Sequence, residues 1–107
     1  MGNKSKAETF IGFAVKSGKF RSGYNTLATL KKAYLILVCR TAAENTVKAA
    51  VKYAAGYRCR AFVTTDCDLC DLAHKEGAKI AAITDLSLAK AITVNAAPNL
   101  QEIVSGK

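Results

Sequence analysis

Residues 34–39 read Tyr-Leu-Ile-Leu-Val-Cys, six positions without a charge. A strand with one wet face alternates apolar and polar residues, whereas an unbroken apolar run marks a strand covered on both faces. A strand of that kind needs a layer of helices above the sheet and another below it. A second run, Lys-Ile-Ala-Ala-Ile-Thr at 79–84, has the same character, and Ala61, Phe62 and Val63 centre a third at 59–64. These three runs fix the class of fold before anything else is read.

The segments between them carry helical spacing. Ala7, Phe10, Ile11, Phe13 and Ala14 form one face of a helix over 5–17. Ser5 and Glu8 make a capping box at its start, and Gly18 ends it. Phe20 belongs to a short strand. A helix over 24–32 turns Leu27 and Leu30 inward. A third helix over 43–55 buries Val47, Ala50, Val51 and Ala54 and stops at Gly56. Thr65 or Asp66 caps a fourth, which carries Leu69, Leu72 and Ala73 and ends at Gly77. Asp85 caps a fifth, with Leu86, Leu88, Ala89 and Ile92 apolar. Residues 95–107 read as a tail in which Pro98 starts a short helix carrying Leu100, Ile103 and Val104. Strands and helices alternate, which predicts parallel pairs with helices on both faces. The expected fold is α/β: a three-layer αβα sandwich around a mixed sheet of about four strands. One domain spans 1–94 and the tail follows it.

A chain of 107 residues, half of them hydrophobic, is large enough for a core of this kind. No apolar run approaches the roughly 20 residues of a membrane span. The charged segment 1–6 lacks the apolar stretch of an export signal, and Lys6 stands where a myristoylation signal has a hydroxyl. A cytoplasmic protein is expected. Net charge is +8 and unevenly placed. Residues 1–65 hold twelve Lys/Arg against two acids, and 66–107 hold four against six. A basic half of this kind points to a polyanionic partner, which in the cytoplasm is most often RNA. The plainer alternative is a basic protein with no particular partner.

Residues 19–32 read as a short basic strand, a glycine turn and a helix start. Ser22 or Gly23 caps that helix. Its first N–H groups, with Lys19, Arg21, Lys31 and Lys32 around them, offer an anion site. Asn25 and Thr26 form a polar tip, and an amide such as Asn25 both donates to and accepts from a base edge. An ordinary turn with solvated lysines is the alternative. Arg40 leaves the C-terminal end of the 34–39 strand, where ligands of α/β sheets gather.

The four cysteines imply no disulfide framework in a reducing compartment. Cys39 reads as a small buried hydrophobe. Cys67 and Cys70 form one CxxC with only His74 nearby, too few ligands for a structural zinc site, and Asp66, Asp68 and Asp71 oppose an activated thiolate. His74 reads as a surface residue near a helix end. No nucleophile–base arrangement, paired carboxylates or phosphate-binding glycine loop stands out, so no catalytic residue, metal or cofactor is expected.

Four stretches together resemble the kink-turn-binding family of ribosomal proteins, the L-seven-Ae / L-thirty-e group, and within it the small bacterial branch. They are Phe-Ile-Gly-Phe-Ala-Val-Lys-Ser-Gly-Lys at 10–19; Ser-Gly-Tyr-Asn at 22–25; the apolar strand 35–38 with Ala-Glu-Asn-Thr at 43–46; and Ala-Ile-Thr-Asp at 82–85 with Leu-Ala-Lys-Ala-Ile at 88–92. The resemblance covers about residues 7–93. It implies binding of an RNA kink-turn or a similar internal loop, with no small-molecule substrate and no membrane. By position it puts Gly23, Asn25 and Thr26 at the sheared G·A pairs, with Tyr24 between them among the RNA-binding residues. Arg21, Lys31, Lys32 and Arg40 flank phosphates, and the loop 75–79, with Lys75, Ala78 and Lys79, covers a splayed base. This chain departs from the family at Thr26, often glutamate; at Thr29, where a lysine is expected; and at Cys70 and His74, often glycines. Its second helix also reads about two residues short.

Two functions remain. One is a ribosome-associated RNA-binding module that reads structured RNA by shape and exposed base edges. The other is a protein-interaction module on the same fold with RNA reading lost, which Thr26 and Thr29 favour.

Overall fold

The computed structural model describes residues 6–65, 67–96 and 100–103. Ten elements follow one another: α1 (Lys6–Lys16), β1 (Phe20–Ser22), α2 (Tyr24–Thr29), β2 (Leu35–Val38), α3 (Glu44–Tyr57), β3 (Arg60–Thr64), α4 (Leu69–Ala73), β4 (Ile80–Ile83), α5 (Leu86–Val94) and β5 (Leu100–Ile103). They build a five-stranded mixed sheet in the order β1-β4-β2-β3-β5. The α/β class, the mixed sheet and the helices packed on it are as the sequence predicts.

The apolar runs sit at the centre. All four residues of β2 are buried, as are all four of β4. Strand side chains alternate between faces, so each run feeds two cores. Leu35, Leu37, Ala81 and Ile83 join Ala7, Ile11 and Ala14 of α1, Leu72 of α4 and Ile92 of α5 on one side. Ile36, Val38, Ile80 and Ala82 join Leu27 of α2 with Ala50 and Ala54 of α3 on the other. These are the two helical layers of the sandwich.

Among the described residues only β2 and β3 run parallel; β4 is antiparallel to both β1 and β2, and β5 is antiparallel to β3. The parallel pairing that the alternation of elements predicts is thus confined, among the described residues, to β2 and β3. β4 starts at the end of the sheet where β3 stopped and runs the other way, with Ile80 opposite Val38.

The sequence also misplaces four element ends. Residues 100–103 form a strand, not a helix. Leu100 pairs opposite Thr64, Leu100 and Ile103 turn inward, and the open edge of β3 supplies the hydrogen-bonding partners. Pro98 lies outside the described residues, as do the proposed caps Ser5 and Asp66. Gly56 lies inside α3, which ends at Arg58 in the left-handed region with φ 58°, its N–H bonded to the Ala54 and Ala55 carbonyls. α4 has Asp68 as its N-cap and His74, φ 55°, as its C-cap, rather than ending at Gly77. α2 stops at Thr29, three residues before its expected end. Gly18, φ 75°, does end the first helix, where Lys19 N–H reaches the Ala14 carbonyl at 2.8 Å. Asp85 caps α5 by accepting from Leu88 N–H at 2.9 Å.

Candidate nucleic-acid interface

The ends of β1, β2 and β3, the start of β4 and the starts of α2, α3 and α4 meet at one end of the sheet. β1 ends at Ser22 beside the start of β4, and the Gly23 N–H donates to the Ile80 carbonyl at 3.1 Å. Gly23 has φ 101° and ψ 148°, a conformation essentially restricted to glycine. A β-carbon built there meets nothing within 4 Å. The glycine is thus required by backbone conformation, and the space above its backbone is open to a ligand.

Gly23 is the N-cap of α2, and no side chain caps the helix. The Tyr24 phenol donates to the Thr46 hydroxyl, tying the start of α2 to the first turn of α3. Asn25 is exposed and Thr26 half-buried. No described residue hydrogen-bonds the Asn25 side-chain amide, which leaves both its donor and its acceptor available. Thr29, where a lysine is expected, turns its hydroxyl onto the Asn25 and Thr26 carbonyls of its own helix at 3.2 and 3.1 Å.

The loop before β4 lies against this helix start. A cavity of about 270 Å³ is lined by residues 22–24 and 76–80. The loop turns at Gly77, φ 78°, and its far end is fixed by the Cys39 N–H donating to the Lys79 carbonyl at 2.8 Å. Lys79 Nζ donates to the Thr41 hydroxyl at 2.7 Å and stays exposed, as does Lys75. Ala78 is different: it is 5% exposed and belongs to the first core. Its side chain cannot cover a base, and the loop would do so through its neighbours and backbone.

Arg40 leaves β2 at the same end. Its N–H donates to the buried Thr64 hydroxyl at 2.8 Å, and its Nε to Asp68 Oδ1 at 3.0 Å. The hydrogen bond to Asp68 raises the guanidinium pKa above its usual value. Arg40 therefore already has a carboxylate partner, with which a phosphate would compete.

Gly23, Tyr24, Asn25, Thr26, Arg40, Lys75 and Lys79 thus share one end of the molecule. Lys31 and Lys32 do not. They follow the C-terminal end of α2, beside the start of β2, and Lys32 Nζ sits 6.0 Å from the centre of the Tyr34 ring. Arg21 lies between the two groups on edge strand β1, paired in register with Ala82. Thr41 and Thr46 position Lys79 and Tyr24, and sequence reasoning gave neither a role. Their signal was a position just past a strand end and in the first turn of a helix.

The cysteines are all free. Cys39 is buried, yet its thiol pKa is lowered: burial opposes the thiolate, and hydrogen bonds from Thr41 and the Leu69 N–H outweigh it. Among the described residues no three His, Cys, Asp or Glu side chains converge as a metal site. His74 is exposed, with Nε2 3.5 Å from Glu8 Oε2. No helix of the described residues is long and apolar enough to cross a membrane.

The chain matches no known family profile. No curated protein matches it. Among solved structures it is similar to a protein of unknown function from Bacillus halodurans C, with a TM-score of 0.75 and 14% identity. The match covers 85% of this chain and 96% of that one. At that identity the likeness concerns the fold alone.

Proposed function

We propose that the protein is a cytoplasmic, ribosome-associated RNA-binding module that takes a kink-turn or similarly bent RNA, with no catalytic step. The observation that carries this is the unbonded amide of Asn25 on the first turn of α2, beside an open glycine backbone and across a cleft from a lysine-bearing loop. A non-Watson–Crick pair exposes base edges that need a donor and an acceptor side by side, which the Asn25 amide supplies. Lys75, Lys79 and Arg40 stand where the phosphates of a sharply bent backbone would pass. The resemblance to kink-turn-binding proteins supports the same assignment. The test is an electrophoretic shift of a kink-turn RNA against a fully paired RNA of equal length, over a series of salt concentrations. Preferred binding of the kink-turn that weakens steeply with salt is the expected result. Equal binding of both RNAs removes shape-specific recognition, and no binding removes the proposal.

A protein-interaction module is favoured by one observation. Thr29 spends its hydroxyl on its own helix, so the flank of α2 beyond Asn25 presents no cation until Lys31. A protein partner captured with little salt dependence, together with failure of both RNAs, would select that function.

A further inference from the structure

A cavity of about 530 Å³ lies at the opposite end of the sheet from Gly23. That is within the range of small-molecule sites, roughly 300–1,000 Å³. Tyr34 and Tyr57 contribute rings to its lining, and Leu86 and Val94 contribute apolar walls. Tyr57 has its hydroxyl engaged by the Leu27 and Leu30 carbonyls, so it is held rigidly in place. Leu86 and Val94 remain 51% and 82% exposed, an apolar surface left in water beside a concave site.

Charge at this cavity is one-sided. Lys32, Arg58 and Lys90 line it, and none has an acidic partner among the described residues. Arg60 also lines it but is paired with Glu102 at 3.7 Å. No described Asp or Glu lines it. Arg58 adds a second kind of observation. It holds a left-handed conformation, φ 58°, which glycine adopts freely and an arginine adopts at a cost. The chain thus keeps a cation at the lip of the cavity at a position where its backbone favours glycine.

We propose that this cavity binds a small organic anion with a flat apolar body: the rings and aliphatic walls take the body, and Arg58, Lys90 and Lys32 take a single carboxylate, sulfonate or phosphate. The site is separate from the RNA-binding end and does not rest on that assignment.

Two probes with one skeleton test it. Amide NMR titrations use anilinonaphthalene sulfonate and, in parallel, phenylnaphthylamine, which lacks the sulfonate. The sulfonate should saturate one site, shift the amides of residues 57–60 and 86–94, and bind about tenfold more tightly than the neutral probe, the scale of one charge-assisted hydrogen bond. Arg58→Gly and Lys90→Ala should each weaken the sulfonate severalfold and leave the neutral probe unchanged. Arg58→Gly relaxes the backbone, so lost binding in a variant with an intact spectrum is loss of the cation. Equal affinity for the two probes, shifts centred on another exposed aromatic such as Phe13, or no saturation would each overturn the proposal.

Discussion

Replacing Asn25 by alanine separates a base-reading residue from a structural one. Three features set the size of its effect on folding. The N-cap of α2 is Gly23, and Asn25 caps nothing. Its side chain is exposed and bonds no described residue. Alanine is also the better helix former, by roughly 0.5 kcal/mol. Stability should therefore stay within about 0.5 kcal/mol of the parent or rise slightly. Binding is another matter. Losing a paired contact to a base edge costs about 1–3 kcal/mol, roughly a five- to 150-fold rise in Kd for a kink-turn. Both quantities come from one preparation, by thermal denaturation and by titration of labelled RNA at fixed salt. Tyr24→Phe is the companion variant. It removes the phenol that holds Thr46, which is 8% exposed, and should cost about 1 kcal/mol of stability with a smaller effect on RNA. A drop in melting temperature for Asn25→Ala at unchanged affinity would refute the assignment and make Asn25 a structural residue.

Gly23→Ala should destabilise by about 1–3 kcal/mol, since the glycine-only conformation becomes strained while no atom obstructs the new β-carbon; denaturant titration measures it. Leu37→Ala, at a fully buried site on central strand β2, should cost about 2–5 kcal/mol by the same assay. Burial pushes the Cys59 thiol up from 9.0 to about 11. A group with a raised folded pKa contributes stability that is full below the unfolded value and lost as pH rises through the folded one. The parent should thus lose stability relative to Cys59→Ala between pH 9 and about 11; parallel curves for the two would refute it. The salt slope of RNA binding should fall by about one unit in Lys79→Ala and stay unchanged in Lys31→Ala, because Lys31 lies at the other end of the sheet.

The buried runs at 35–38 and 80–83 were legible because a strand covered on both faces leaves no position for a charge. Gly18 and Asp85 were legible because each acts within a few residues of itself. What failed was decided at longer range. The direction of β4 depends on which end of the sheet the chain enters after β3, and residues 100–103 become a strand only because β3 has an open edge. Arg58 hid the end of α3, since a left-handed arginine gives no sequence signal while Gly56 nearby gives a false one. The site shows the same division. Residues 23–26 were grouped as a candidate site because turn, cap and polar tip adjoin in sequence. Lys31 and Lys32 were grouped with them by adjacency alone, although a six-residue helix carries the chain about 9 Å away.

The position of β4 also governs when this protein can fold. β1 pairs with β4, and the buried face of α1 packs chiefly on α4 and α5. The first two elements of the chain therefore find their chief partners among residues 69–94. At a synthesis rate of about 5–20 residues per second, the segment that contains Asn25 waits on the order of 3–12 s for β4 to emerge. Until then the Ala7, Ile11 and Ala14 face of α1 lacks α4 and α5 to pack on. A nascent chain stalled before residue 80 should remain protease-sensitive throughout, and one that clears residue 94 by the length of the tunnel should gain protection in a single step.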